Sequence, residues 1–489
     1  MQAAEVPKVV VNLLVDQLRS DYLEAFMPLY GEDGLKKLLN EGRVYAQGEY
    51  PLSHTDRASA AATFTTGTVP ARHGIVGVQW VERDTKKIVT CANDGSAGKL
   101  LTSTIGDELK IATEGKSIVI SLAPNSDAAI MLAGHAADAA VWLDDFSGKW
   151  TTSTYFGQLP AWIGVRNTVL TALKNAPTWT PSNDLVGNFS YFLSGGMKKP
   201  FNHIFSGTKG YQQWKTSALV NDEIANAAEQ AIKGTLIGND GLTDYLGVML
   251  YAGGFDGHTV NEMPLEQQDT YVRLDRAIAK ILQALEKKVK KEELMVVLTS
   301  TGYVEESQSD LSKYRIPTGD FDMQRATSLL AMYLRAVYGV GDLVQTSYDT
   351  QIYLNNKLIE EKQINQTELF DRCQDFLLQL QGVKDVYTRQ RLIQGAWTPG
   401  LSRIRNAYNV QVSGDIMIEV APGWRAVNAT SKTSKVSRES YISFPVIFYG
   451  NNIKSEQIST PITVDYIAPT VCAALRIRAP NGCETGRVF

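Results

Sequence analysis

Five short stretches of the chain are apolar almost without interruption. Val9-Val10-Val11-Asn12-Leu13-Leu14-Val15 runs straight into Asp16, and similar runs recur at Ser117 to Leu122, Leu246 to Tyr251, Leu294 to Thr299 and Pro445 to Tyr449. An apolar run of this length without alternation suits a strand buried on both faces, the usual state in a parallel sheet covered by helices on two sides. Between the runs the period changes. Tyr271, Leu274, Ile278, Ile281, Leu285 and Val289 are spaced by threes and fours, with charges on the opposite face, which predicts an amphipathic helix. Strands alternating with such helices predict an α/β fold with a doubly wound, mostly parallel sheet. Asp16 then falls at the C-terminal end of its strand, the edge at which open α/β sheets place their ligands.

Two regions break this rhythm. Residues 144–210 are rich in Trp, Tyr, Gly, Pro and Ser and show little periodicity. They predict a loop-rich excursion, with Trp142, Trp150, Tyr155 and Trp162 expected to line or support a cleft beneath it. Residues 340–425 carry Gln351-Ile352-Tyr353-Leu354 followed by Asn355-Asn356, a helical pattern from Gln366 to Leu380, strand-like Asp385-Val386-Tyr387 and the alternating Ile416 to Val420. They predict an inserted α+β cap subdomain, with a hairpin, or a strand ending in a turn, at the Asn pair. The whole of 1–489 reads as a single domain carrying these two insertions.

Charge and composition remove several function classes. The 489 residues hold 48 Lys+Arg against 52 Asp+Glu, a net charge of −4. Such a balance argues against a nucleic-acid partner, whose phosphates need a concentrated basic surface. Lys287-Lys288-Val289-Lys290-Lys291 reads as a solvated helix end, where cations complement the macrodipole. The longest apolar tract, Ala128 to Leu143, is broken by His135 and Asp138, so no transmembrane segment is expected. The N-terminus has no basic or apolar leader and reads as a cytosolic start or as a mature chain whose export signal has been removed. Cys91, Cys373, Cys472 and Cys483 form no C-x-x-C pair; Cys472 and Cys483 are near enough in sequence to pair, and two unpaired thiols are the alternative.

The ends of the apolar runs carry Val15-Asp16-Gln17-Leu18-Arg19-Ser20-Asp21-Tyr22, Thr65-Thr66-Gly67-Thr68-Val69-Pro70-Ala71-Arg72-His73-Gly74-Ile75 and Ala133-Gly134-His135-Ala136-Ala137-Asp138-Ala139. Further on come Asp269 to Asp275, Phe444-Pro445-Val446-Ile447-Phe448-Tyr449-Gly450 and Ala479-Pro480-Asn481-Gly482. In this order and over nearly the whole chain, these segments resemble the alkaline phosphatase superfamily, in its type I phosphodiesterase/nucleotide pyrophosphatase and bacterial phosphate-monoesterase branch. The resemblance implies two zinc ions held by Asp and His side chains, one activating a Thr or Ser nucleophile and the other stabilising the leaving oxygen. It also implies export to the bacterial periplasm or envelope, a cytoplasmic location staying open.

Carried over position by position, the resemblance gives an incomplete site. Asp16 stands at the first metal ligand and His258 at another. The remaining ligand positions fall on Gly254, on the shortened Thr299-Ser300-Thr301-Gly302 and on Ser443. The family's phosphate-binding Asn falls on Val78, and its Lys-x-Arg pair falls within Ala123-Pro124-Asn125-Ser126-Asp127, which has no cation. Counted back without gaps from Thr66-Gly67, the nucleophile falls on Arg57; a slip of two residues places it on Thr55. The chain has five His in all, few for a centre that wants imidazole nitrogen.

The expectation is therefore a degenerate member of the superfamily, a pseudoenzyme with a binding or scaffolding role toward a protein or anionic ligand, with no cofactor. Its relic cleft holds Asp16, Asp56, Arg57, Asp256 and His258. The alternative is a phosphodiesterase or phosphatase with an atypical, mononuclear site, in which Thr55 is the nucleophile and Asp16, Asp256 and His258 hold one divalent ion (Zn, Mg or Ca). A second alternative is an anion-binding module in which Arg57 grips phosphate or sulfate. Where no metal is bound, Arg57 is expected to reach Asp16, or an anion held beside it, because a buried carboxylate without a metal needs a partner.

Overall fold

A computed structural model describes residues 6–92, 94–172, 177–186, 200–207, 209–258, 262–304, 315–396, 398–437 and 442–489. Parts of the predicted excursion, 173–176 and 187–199, lie outside these residues. The elements that position the site are β1 (Val9–Asp16), β2 (Arg43–Glu49), α1 (Arg57–Thr66), β3 (Val119–Ala123), α2 (Ser126–Ala133), β4 (Ala139–Leu143), β5 (Trp150–Thr151), α3 (Leu219–Gly234), β6 (Asp244–Tyr251), α4 (Pro264–Glu286) and β7 (Leu294–Ser300). The inserted region supplies α5 (Met323–Tyr338), β8 (Val344–Tyr348), β9 (Gln351–Leu354), α6 (Gln366–Leu378), β10 (Val383–Thr388), β11 (Ile416–Val420), β12 (Arg425–Asn428) and β13 (Thr433–Val436), and β14 (Phe444–Gly450) returns to the main sheet.

The main sheet has ten strands. From β2 its order is β2-β14-β7-β1-β6-β3-β4-β5, with Glu456–Ile458 and Ile462–Thr463 pairing on the outer side of β2. β1 is central and parallel to both neighbours, Val9 opposite Asp244 on β6 and Leu294 on β7. The uninterrupted apolar run of β1 is explained by the two cores it serves. Val9, Val11, Leu13 and Val15 point into one, with Ile224 and Ala228 of α3 and Leu274 and Ile278 of α4. Val10 and Leu14 point into the other, with the alanines of α1 and α2. A strand with a core on each face has no side to leave polar. The run at Pro445 to Tyr449 lies in β14, which is antiparallel to β7 and β2; the sheet is mixed.

The insertion forms a four-stranded sheet in the order β8-β9-β11-β10 and a three-stranded sheet of Asp320–Asp322, β12 and β13, around its own core of Leu330, Ile352, Leu369, Leu377 and Ile418. One local expectation is corrected. Asn355 does not turn a hairpin; its side chain accepts the N–H of Leu358 and caps the helix Asn356–Glu361. Asn serves both turns and N-caps, and here the following Leu358 and Ile359 draw the chain into a helix. The excursion likewise contains a twelve-residue helix, Ala161–Ala172, that its composition concealed.

The four aromatic residues expected to line or support the cleft are tied to the excursion and its neighbours. Trp150 is buried and donates from Nε1 to Glu223 on α3, Trp162 packs over Gly234, Tyr155 donates to the His135 carbonyl, and Trp142 pairs along β4 with Thr151. The excursion reaches the C-terminal end of β6 through Trp179, Phe201 and His203, which gather around Phe255.

Candidate active site

The site is assembled at the C-terminal ends of β1, β6 and β7 and at the N-terminus of α1. Asp16, the last residue of β1, is buried at 3% exposure. Its backbone carbonyl accepts the N–H of Ala252 past the end of β6, and its Oδ1 accepts the Thr301 hydroxyl at 2.9 Å. Thr301 follows β7, where the superfamily resemblance led to a shortened ligand motif, and its hydroxyl oxygen also accepts the N–H of Gln17. A hydroxyl thus stands against the Asp16 carboxylate.

α1 begins where it does because Asp56 caps it. The Asp56 carboxylate accepts the Ser59 N–H at 2.9 Å while Ser59 Oγ accepts the Asp56 N–H at 3.0 Å, a reciprocal capping box. The second carboxylate oxygen accepts the Val78 N–H at 2.5 Å. Asp56, expected among the relic-cleft residues, has both carboxylate oxygens on backbone N–H groups, those of Ser59 and Val78. From Ala58 to Thr66 every residue of α1 is buried, and the helix ends at Gly67 with φ +63. Thr55 and Arg57 flank the cap.

Arg57 makes a bidentate contact with Asp127 near the start of α2, Nε to Oδ1 at 2.8 Å and Nη2 to Oδ2 at 2.7 Å. Its Nη1 lies 3.9 Å from Asp16 Oδ2, too far for a hydrogen bond. The expected contact is therefore reduced to a long ion pair, and the primary partner is Asp127. A planar fork matches a carboxylate best edge on, and Asp127 offers that edge. Asp127 was not anticipated, because it lies 70 residues away in sequence; its only signal was an acidic residue in the stretch where the family has cations.

The electrostatics follow this division. Burial raises the Asp16 pKa to about 6, and Arg57 and the Thr301 hydroxyl oppose that only in part. Burial also acts upward on Asp127, but Arg57 outweighs it and holds that carboxyl below its ordinary value. The Arg57 guanidinium is correspondingly held well above its own usual value: burial works against its charge, and Asp127 prevails.

The remaining candidates are not brought to Asp16. Asp256 sits at φ +51 in the turn Phe255–Gly257, exposed, with its carboxylate on Gln213 Nε2 at 2.9 Å. His258 is half-exposed, with Nδ1 3.7 Å from Glu262 Oε2. Among the described residues no three His, Cys, Asp or Glu side chains approach one point closely enough to hold a metal ion. The proposed triad of Asp16, Asp256 and His258 is therefore not assembled. The described side chains do not fit the two-metal centre that the superfamily resemblance implies, and the guanidinium 3.9 Å from Asp16 opposes a cation there. The four cysteines are free thiols, so Cys472 and Cys483 are not bridged; Cys483 Sγ lies 3.2 Å from the Thr66 carbonyl.

Residues 10–442 match the family described as type I phosphodiesterase/nucleotide pyrophosphatase. Together with the mixed sheet, this match shows that the chain belongs to that family, within the alkaline phosphatase superfamily. Alkaline phosphatase PafA of Elizabethkingia meningoseptica is 30% identical over 97% of this chain and 93% of its own length. A protein of Myroides odoratus named calcium-transporting ATPase is 31% identical over 98% of this chain and 93% of its own. The crystal structure of wild-type alkaline phosphatase PafA superposes with a TM-score of 0.85, covering 100% of this chain and 99% of that one at 28% identity.

Proposed function

We propose that this chain takes phosphate esters into the strand-end cleft beside Asp16 and that its activity class is phosphoric ester hydrolysis. Near-full-length likeness to enzymes named alkaline phosphatases supports that class over a scaffold role. The observation in the cleft that carries the reading is Arg57. Two of its three nitrogens are committed to Asp127, while Nη1 makes no hydrogen bond among the described residues. A guanidinium held rigid by one carboxylate, with an amino group left over, is a preorganised grip for a phosphoryl oxygen. Thr55 supplies a hydroxyl next to the cap of α1, where the helix dipole favours negative charge.

A second reading is capture of the ester without turnover. One observation favours it: in the ungapped register Arg57 occupies the nucleophile's place, and its lock on Asp127 fixes it there. The test is hydrolysis of aryl phosphate mono- and diesters by chelator-treated protein and after addition of Zn²⁺, Mg²⁺ or Ca²⁺. Turnover that Thr55→Ala abolishes establishes the hydrolase. Ester binding without turnover establishes the second reading, and absence of both removes phosphate esters as the ligand class.

A further inference from the structure

Among the described residues, the side chains that hydrogen-bond Asp16 do so through hydroxyl groups. Thr301 Oγ1 gives its proton to Asp16 Oδ1 at 2.9 Å, and the same oxygen accepts the Gln17 N–H at 2.9 Å. With that N–H on its lone pair, the hydroxyl is directed onto the carboxylate. Gln17 reaches it from φ +63, a left-handed conformation that residues other than glycine seldom adopt. The Thr301 N–H is anchored in turn on the Val15 carbonyl at 3.2 Å. The Tyr303 hydroxyl also bonds the Asp16 side chain. Backbone strain persists where its surroundings hold it, and here it fixes the direction of one carboxylate.

The other oxygen, Oδ2, faces Arg57 Nη1 across 3.9 Å. Arg57 does not close that gap, because Asp127 holds its Nε at 2.8 Å and its Nη2 at 2.7 Å. A donor and an acceptor therefore stand side by side, each fixed from behind by another residue. The Arg57 side chain is 23% exposed and that of Asp16 only 4%, so a ligand meets the guanidinium first and the carboxylate deeper in.

We propose that this pair selects oxyanions that keep a proton. One unprotonated oxygen of a phosphoryl group accepts from Arg57 Nη1, and a hydroxyl on the same phosphorus donates to Asp16 Oδ2. The inference rests on the phosphate-ester reading above and narrows it to phosphoryl groups that retain a P–OH. An ionised carboxylate only accepts hydrogen bonds, so it pairs with P–OH and repels a bare oxyanion. Sulfate shares the tetrahedral shape of phosphate but carries no proton at neutral pH, and it would set a like charge against Asp16.

The experiment is calorimetric titration of the chelator-treated full chain with inorganic phosphate, arsenate and sulfate at about pH 8, above the Asp16 pKa of about 6. All three anions are then mainly dianions, and only sulfate lacks a proton. Wild type is expected to bind phosphate at least about tenfold more tightly than sulfate, with arsenate within about fivefold of phosphate. Asp16→Asn, whose amide donates as well as accepts, is expected to bring phosphate and sulfate within about twofold of each other. Equal binding of phosphate and sulfate by wild type, arsenate as weak as sulfate, or a preference that survives Asp16→Asn overturns the selection by Asp16 and leaves the phosphate-ester reading standing. A folded Asp16→Asn that binds neither phosphate nor sulfate does the same. If wild type binds none of the three, that reading fails, and this inference with it.

Discussion

At the residue scale the site turns on how one guanidinium is shared between two carboxylates. Asp127 takes the fork and Asp16 receives the remainder, so Asp16 is buried without full compensation. Its folded-state pKa of about 6 exceeds the 3.8 of a free carboxyl, so the native protein holds an extra proton between those values. Its stabilising contribution is whole below 3.8 and is lost as pH rises through about 6. Asp16→Asn is therefore expected to stabilise the fold by on the order of 2–3 kcal/mol above that range and to have little effect below it. Thermal unfolding of both proteins across the window is the check, and a variant less stable than wild type at neutral pH contradicts it. Arg57→Ala should cost about 2–4 kcal/mol, because it strands Asp127 in the interior. The double substitution Arg57→Ala/Asp127→Ala should cost less than the two single changes summed, as denaturant titration would show.

At the element scale, the start of α1 decides where Thr55 and Arg57 stand. Asp56→Ala removes the cap and the Val78 contact and is expected to cost about 1–2 kcal/mol, with Asp56→Asn losing less. Equal midpoints for both variants would deny Asp56 this role. Gly67→Ala at the other end should also destabilise, since φ is +63 and a methyl there would meet Cys483 Sγ. How far such elements were legible depended on range. β1 and α4 were readable because a doubly buried strand and an amphipathic helix write their period into consecutive residues, and the superfamily motifs fell on the strand ends that the sheet brings together. The Asn355 cap was misread because turn and cap share the same chemistry. The Arg57–Asp127 pair was not readable at all, since nothing local to either residue says that α1 and α2 lie side by side. His258 was placed with Asp16 by the superfamily resemblance and Asp256 as its near neighbour, and a left-handed turn at Asp256 directs its carboxylate to Gln213 instead.

At the scale of the whole molecule, the inserted subdomain is fastened to the strand that leads into α1. Arg403 Nη2 lies 2.6 Å from Glu49 Oε2, Ser53 gives its N–H to the Arg403 carbonyl, and Asn406 donates to the Pro51 carbonyl. Arg83 pairs with the fully buried Asp415 of the subdomain. The loop carrying Thr55 is thereby held between the two cores. Arg403→Ala is expected to speed hydrogen exchange at Ser53 and its neighbours while leaving β1 protected; unchanged exchange in that loop would show that the subdomain does not hold it. The one side-chain cation beside Asp16 among the described residues is Arg57, held by Asp127. The most direct measurement is the affinity of chelator-treated protein for inorganic phosphate, taken before and after zinc is restored. The account expects binding that is present without metal, unchanged by zinc and lost in Arg57→Ala. Binding that appears only once zinc occupies the cleft, and that survives Arg57→Ala, would contradict it.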